Sequence, residues 1–180
     1  MRIKVIYIWL ALTLCLAPGA SAGFGQGKPS LEYQVKAAFL FNFTRFVRWP
    51  AVAYASPDAP FVIGIAGNDP FGTYLDDLVS GEQIDGHRIV VRRYSDIHDL
   101  SGCQLLFINL NDQTKERAVL AQASHKNILT VSDADDFIKA GGMLQFYKED
   151  NRVKMEIKLD AVKAAQIDIS SKLLQVAKVR

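Results

Sequence analysis

Phe61-Val62-Ile63-Gly64-Ile65-Ala66 is an unbroken apolar run of strand length. Asp69-Pro70 follows it, reading as an N-cap with proline at the first helical position. The helix opened there runs from Phe71 to Val79 and closes at Gly81. Further strands are expected over Arg88–Arg92, Gln104–Asn109 and Asn127–Val131, with a helix over Gln113–Ser124 between the last two. Short buried strands alternating with helices imply a parallel sheet covered on both faces.

Toward the N-terminus, Ser30 caps a helix that carries Glu32 in its first turn and Arg45 and Arg48 in its last turns, charges that suit the helix dipole. Trp49-Pro50 ends it. Its apolar residues do not form one stripe: Leu31, Val35, Ala38, Phe39 and Phe46 share a face, and Leu40, Phe43 and Val47 lie around the circumference. Such a helix needs cover on more than one side. The cover is either its own domain on both sides, or its own domain on one side and a second protomer or another protein on the other.

Toward the C-terminus, Ser132 caps a short helix that stops at Gly141-Gly142. Strands over Met143–Tyr147 and Arg152–Leu159 then flank the polar turn Lys148–Asn151. In the second, Val153, Met155, Ile157 and Leu159 alternate with Lys154, Glu156 and Lys158, the pattern of an antiparallel hairpin with one wet face. Asp160 caps a turn of helix, and Ser170–Val179 makes a last one. The fold expected is α/β: a three-layer sandwich with a mostly parallel sheet of about six strands, ending in an antiparallel hairpin and flanked by about five helices.

The chain is 180 residues long, about one domain. Arg2 and Lys4 precede the uncharged run Val5–Leu16, then Pro18-Gly19 and the small residues Ala20-Ser21-Ala22. This is the three-part pattern of a secretory signal peptide over 1–22, and its run is shorter than the roughly 20 residues of a spanning helix. Export to the periplasm follows, without a membrane span after cleavage. Residues 23–29 form a flexible segment, and 30–180 a single domain. The formal charge of +2 is carried by the leader, so the remainder is neutral and lacks the basic footprint that nucleic acid requires. Cys15 leaves with the leader, so Cys103 is unpaired within the mature chain. It is either a buried small hydrophobe or the partner of another molecule's thiol.

Open parallel sheets bind ligands at the carboxyl ends of their strands. Asp69, Asn109 and Asp133 stand there and form a possible ligand rim. Gly64, Gly67 and Gly72 match neither G-x-G-x-x-G nor a Walker loop, and are explained by close packing and turns. A phosphoacceptor receiver would end its third strand in aspartate, where this chain has Asn109. His87, His98 and His125 have no metal spacing, no G-x-S-x-G occurs, and Asp76-Asp77 and Asp135-Asp136 suit solvated faces or caps. No catalytic residue, metal or cofactor is indicated.

Several blocks in order carry a resemblance. They are Glu32–Pro50, Phe61–Ile65 with Asp69–Gly72, Cys103–Ile108, Leu129–Asp133, Gly141–Met143, and Met155–Asp160 with Ile169–Leu174. Together they resemble the YfiR family of small periplasmic proteins across nearly the whole mature chain. The resemblance implies a dimeric regulator that binds the periplasmic sensor domain of an inner-membrane diguanylate cyclase and represses it, lowering cyclic di-GMP and biofilm formation. Better-studied members carry several periplasmic cysteines with disulfides, whereas Cys103 alone is matched here, which excludes an internal bridge. The expected partner surface is the hairpin's neighbourhood and the C-terminal segment, at Phe146, Glu156, Ile167 and Ile169. The alternative is a periplasmic small-ligand-binding or transport-associated accessory protein using the polar rim.

Overall fold

The computed structural model describes residues 28–95, 99–124 and 126–180. The leader over 1–22, most of the segment 23–29, His98 and His125 lie outside the described residues. The apolar run that opened the sequence reading is β2 (Phe61–Gly67), buried from Phe61 to Ala66. Its side chains alternate between two cores: Phe61, Ile63 and Ile65 enter one, Val62 and Ala66 the other. Gly64 lies on the second face, where a Cβ would stand 2.7 Å from Cys103 Sγ and 2.7 Å from the Tyr94 ring. Only glycine permits that approach.

Parallel partners flank β2: β4 (His87–Tyr94) on one side, and β5 (Leu105–Asn109), β6 (Leu129–Ser132) and β7 (Leu144–Glu149) in succession on the other. Antiparallel β8 (Arg152–Ile157) closes the hairpin with β7, pairing Phe146 with Met155 and Gln145 with Glu156. Asp150 and Asn151 both take left-handed φ (49° and 59°), as a two-residue primed turn demands. Two-residue strands complete the eight-stranded sheet: β3 (Gln83–Ile84) beside β4 and β10 (Lys178–Val179) beside β8. The six longer strands are those expected from the sequence.

One face of the sheet is covered by α1 (Leu31–Phe46), α2 (Thr73–Val79), α4 (Leu159–Ala164) and α5 (Ser171–Val176), packed through Leu40, Phe43, Leu75, Val162 and Leu173. The other carries α3 (Gln113–Ala123), packed through Val119, Leu120 and Ala123 with Phe137 and Leu100. Three layers result. β1 (Val47–Arg48) and β9 (Asp168–Ile169) form a separate antiparallel pair that ties the end of α1 to the C-terminal segment.

Five local expectations are corrected. α2 does not open at Asp69-Pro70: Gly72, at φ 54°, holds the N-cap position, the helix starts at Thr73, and Asp69 closes the turn before it. The segment after Ser132 is a series of turns, not a helix: Asp136 takes φ of 60°, which breaks helical progression, and Ser132 Oγ donates to the Ile108 carbonyl at 2.7 Å. α1 stops at Phe46, and Val47 goes extended to pair with Ile169. The final helix stops at Val176 because 178–180 pairs with β8; Arg180 N–H donates to Ile157 O at 2.9 Å and Leu159 N–H to Arg180 O at 3.1 Å. Asp160 lies in the first turn of α4, two residues past the N-cap position held by Lys158.

Candidate docking surface on the first helix

The order β4-β2-β5-β6-β7 reverses direction between β2 and β5, the crevice where doubly wound sheets receive ligands. Here the chain's own loops fill it. Asn68 N–H donates to Asn109 O at 2.9 Å, and Asn109 Nδ2 donates to Asn68 O at 3.1 Å. Gly67, at φ 93°, makes the contact possible, since a Cβ there would lie 2.1 Å from Asn109 O.

The two rim carboxylates also have partners within the chain. Asp69 Oδ1 accepts from Phe71 and Gly72 N–H at 2.8 and 3.1 Å, and its Oδ2 accepts from Arg93 Nε at 2.7 Å. Arg93 grips Asp76 and the Gly72 carbonyl as well. Asp133 accepts from Lys36 Nζ at 2.6 Å. The structure thus brings Asp69 and Asn109 to adjacent loops and ties Asp133 to α1.

Lys36 decides how α1 lies. Its side chain is nearly fully buried, with Nζ 2.6 Å from both Glu32 and Asp133 and 4.5 Å from the centre of the Tyr33 ring. Burial disfavours the ammonium, but the hydrogen bonds to Asp133 and Glu32 together outweigh it, and its pKa is raised. Lys148 closes the cluster against Glu32 at 3.0 Å. With Lys36, Leu40, Phe43 and Thr44 turned inward, the opposite side of α1 faces outward.

That outward side is apolar. Leu31 is 75% exposed and Val35 37%, and Phe39 and Phe46 continue the same stripe half-buried. Two shallow grooves run along it and share Phe39. One is walled by Leu31, Val35, Arg152 and Val153, the other by Asn42, Phe46, Lys172 and Val176. Val176, 67% exposed, extends the patch onto α5. Contiguous apolar surface of this kind, rimmed by Arg152 and Lys172, has the make-up of a protein interface.

The residues singled out from the sequence lie around and beneath this patch. Phe146 is 1% exposed, its ring 5.8 Å from Phe39 and 6.0 Å from Phe43. Ile167 and Ile169 are likewise core residues, Ile169 opposite Val47 in the small sheet. These three side chains therefore hold α1 and the C-terminal segment in place and are not free surface. Glu156, on β8, pairs with Arg180. Leu31 and Val35 lie on the α1 face whose cover the sequence left open between the domain and a partner, though they were not among the expected partner residues; Val176, on α5, carried no such signal.

Cys103 is a buried free thiol; Sγ donates to Leu105 O at 3.3 Å, and burial pushes its pKa up to about 12. His87 stacks on Tyr54 at 3.9 Å between ring centres and donates from Nδ1 to Ala59 O at 2.6 Å. Among the described residues, no cluster of three metal-ligating side chains occurs and no helix is long and apolar enough to cross a membrane.

No curated protein matches the chain. The sequence profile of the YfiR/HmsC-like family matches residues 33–178, from the first turn of α1 to β10. The match takes in the hairpin, α5 and α1 from Tyr33 onward, leaving Leu31 just ahead of it. The chain belongs to the YfiR/HmsC-like family.

Proposed function

We propose that this protein is a periplasmic repressor which docks through the apolar stripe of α1 onto the periplasmic sensor domain of an inner-membrane diguanylate cyclase. Bound there, it holds the cyclase inactive and lowers cyclic di-GMP and biofilm formation. The observation that carries this reading is the stripe Leu31, Val35, Phe39 and Val176, left uncovered on a chain of a regulatory family. Export follows from the leader over 1–22, and a homodimer would present the stripe twice.

Repression of this kind is a linkage effect. A protein that binds the inactive cyclase better than the active one shifts the population by the ratio of the two affinities. Burying what Leu31 and Val35 still expose contributes about 1–2 kcal/mol and about 0.5–1 kcal/mol respectively, a preference that counts if the active cyclase presents no matching surface. The closed crevice between β2 and β5 also favours a docking module over a fold-typical ligand enzyme. Deletion of the gene tests the reading: cyclic di-GMP rises in the deletion strain while the partner cyclase is expressed. Unchanged levels would overturn it.

A further inference from the structure

β8 stands near one end of the large sheet, and its outer edge is only partly covered: β10 pairs with it at Glu156 and Ile157 alone. Lys158 N–H donates to Met143 O on the β7 side, and Ile157 O accepts from Arg180 N–H at 2.9 Å on the outer side. Strand alternation then turns the backbone of Arg152, Lys154 and Glu156 toward β7 and that of Val153 and Met155 outward. No strand among the described residues meets Val153 N–H, Val153 O or Met155 N–H. Unpaired backbone groups along a strand edge are a template for a further strand.

The side chains of this open stretch define what such a strand carries. Val153 and Met155 pack on the α1 side, where Val153 walls a groove with Leu31, Val35 and Phe39. Arg152 and Lys154 stand on the opposite face, and Lys178, in register with Glu156, shares it. Of the acids nearby, Glu149 and Glu156 are engaged by Lys154 and Arg180, and Asp150 lies in the turn beyond the stretch. Glu149 is on β7, one strand behind the edge. A strand laid beside β8 therefore has apolar neighbours on one face and basic neighbours on the other. Cross-strand pairing favours apolar residues against the first and acidic residues against the second.

A second copy of this chain is the poorer occupant. Two β8 edges paired antiparallel about Val153 or about Lys154 set Lys154 against Arg152 or against itself, and like charges directly opposite are destabilising.

We propose that the open edge of β8 takes up an extended segment of the partner as an added strand that alternates acidic and apolar residues. Its backbone pairs with Val153 and Met155, its apolar side chains enter the groove of Leu31, Val35 and Phe39, and its acidic ones lie beside Arg152 and Lys154. The inference rests on the reading that the α1 stripe docks a partner, and it supplies the form of the segment docked there.

The exported protein is titrated at pH 7 with three capped seven-residue peptides: one alternating valine with glutamate, one alternating valine with lysine, and one with the residues of the glutamate peptide in block order. The alternating glutamate peptide binds saturably and slows hydrogen exchange at the Val153 and Met155 amides, and the other two bind about tenfold more weakly. Val153→Pro removes an outward N–H, leaves the β7 ladder whole and weakens binding about tenfold. The exchange readout in the wild type does not depend on that variant folding. Arg152→Glu lessens the preference for glutamate over lysine. No saturable binding by the alternating glutamate peptide, unchanged exchange at Val153 and Met155, or equal binding of the block-order peptide would overturn the proposal. Unchanged cyclic di-GMP in the deletion strain would sink repression and leave these peptide results standing, so the two failures are distinguishable.

Discussion

Lys36 Nζ lies 2.6 Å from Asp133 Oδ2, an ion pair that joins the second turn of α1 to the loop after β6 across 97 residues of chain. The pair fixes the rotation of α1, and that rotation leaves Leu31 and Val35 outside. Removing the carboxylate leaves a buried ammonium with Glu32 as its one charged partner. Asp133→Ala is therefore expected to cost about 1–3 kcal/mol. Lys36→Met, which removes the buried charge and keeps the stem's packing, costs less. Urea unfolding of the two variants checks the order.

The same cluster sets a pH dependence with two limbs. The hydrogen bonds of Lys36 and Lys148 hold the Glu32 carboxyl below its ordinary value of 4.5. Its contribution to stability is complete above 4.5 and is lost as pH falls through the folded value. Lys36 is raised above 10.5, so its contribution is complete below 10.5 and is lost as pH rises through the folded value. Unfolding free energy measured against pH should be flat between the limbs in this respect, and Glu32→Gln should flatten the acid one.

The chain's hydrophobic pattern announced the sheet but not the orientation of α1. β2, β5 and the β7–β8 hairpin were legible because continuous or alternating apolar runs need no distant partner to be read. In α1 the polar residues Lys36 and Thr44 are buried while Leu31 and Val35 are exposed, the reverse of what side-chain polarity suggests. Lys36 can go inward only because Asp133 arrives from far along the chain, and local sequence carries no trace of that. The two-residue strands β1, β3, β9 and β10 were missed for a related reason: each is defined by the strand it pairs with.

Cys103 is enclosed by the contact with Gly64 and Tyr94, and its thiol is pushed up to about 12. A thiol so buried presents almost no thiolate at neutral pH. Iodoacetamide at pH 7 should leave it unmodified in the folded protein and label it fully in urea. A disulfide-linked dimer on a non-reducing gel would contradict this placement.

Gly67 holds the β2 and β5 loops together. Alanine there must keep φ near 93° and place its Cβ against Asn109 O, so Gly67→Ala is expected to cost about 2–3 kcal/mol or to pull the loops apart. Asn109→Ala removes one side-chain hydrogen bond and should cost about 1 kcal/mol. Chemical denaturation of the two variants distinguishes them.

The decisive measurement is cyclic di-GMP in a deletion strain complemented either with the wild-type gene or with the double variant Leu31→Asp/Val35→Asp, exported to equal levels. Leu31 is 75% and Val35 37% exposed, and a far-ultraviolet circular dichroism spectrum and melting temperature matching the wild type establish that the variant is folded. Docking through the α1 stripe predicts that the wild type restores low cyclic di-GMP and that the double variant leaves it high. A double variant that represses as fully as the wild type would contradict it.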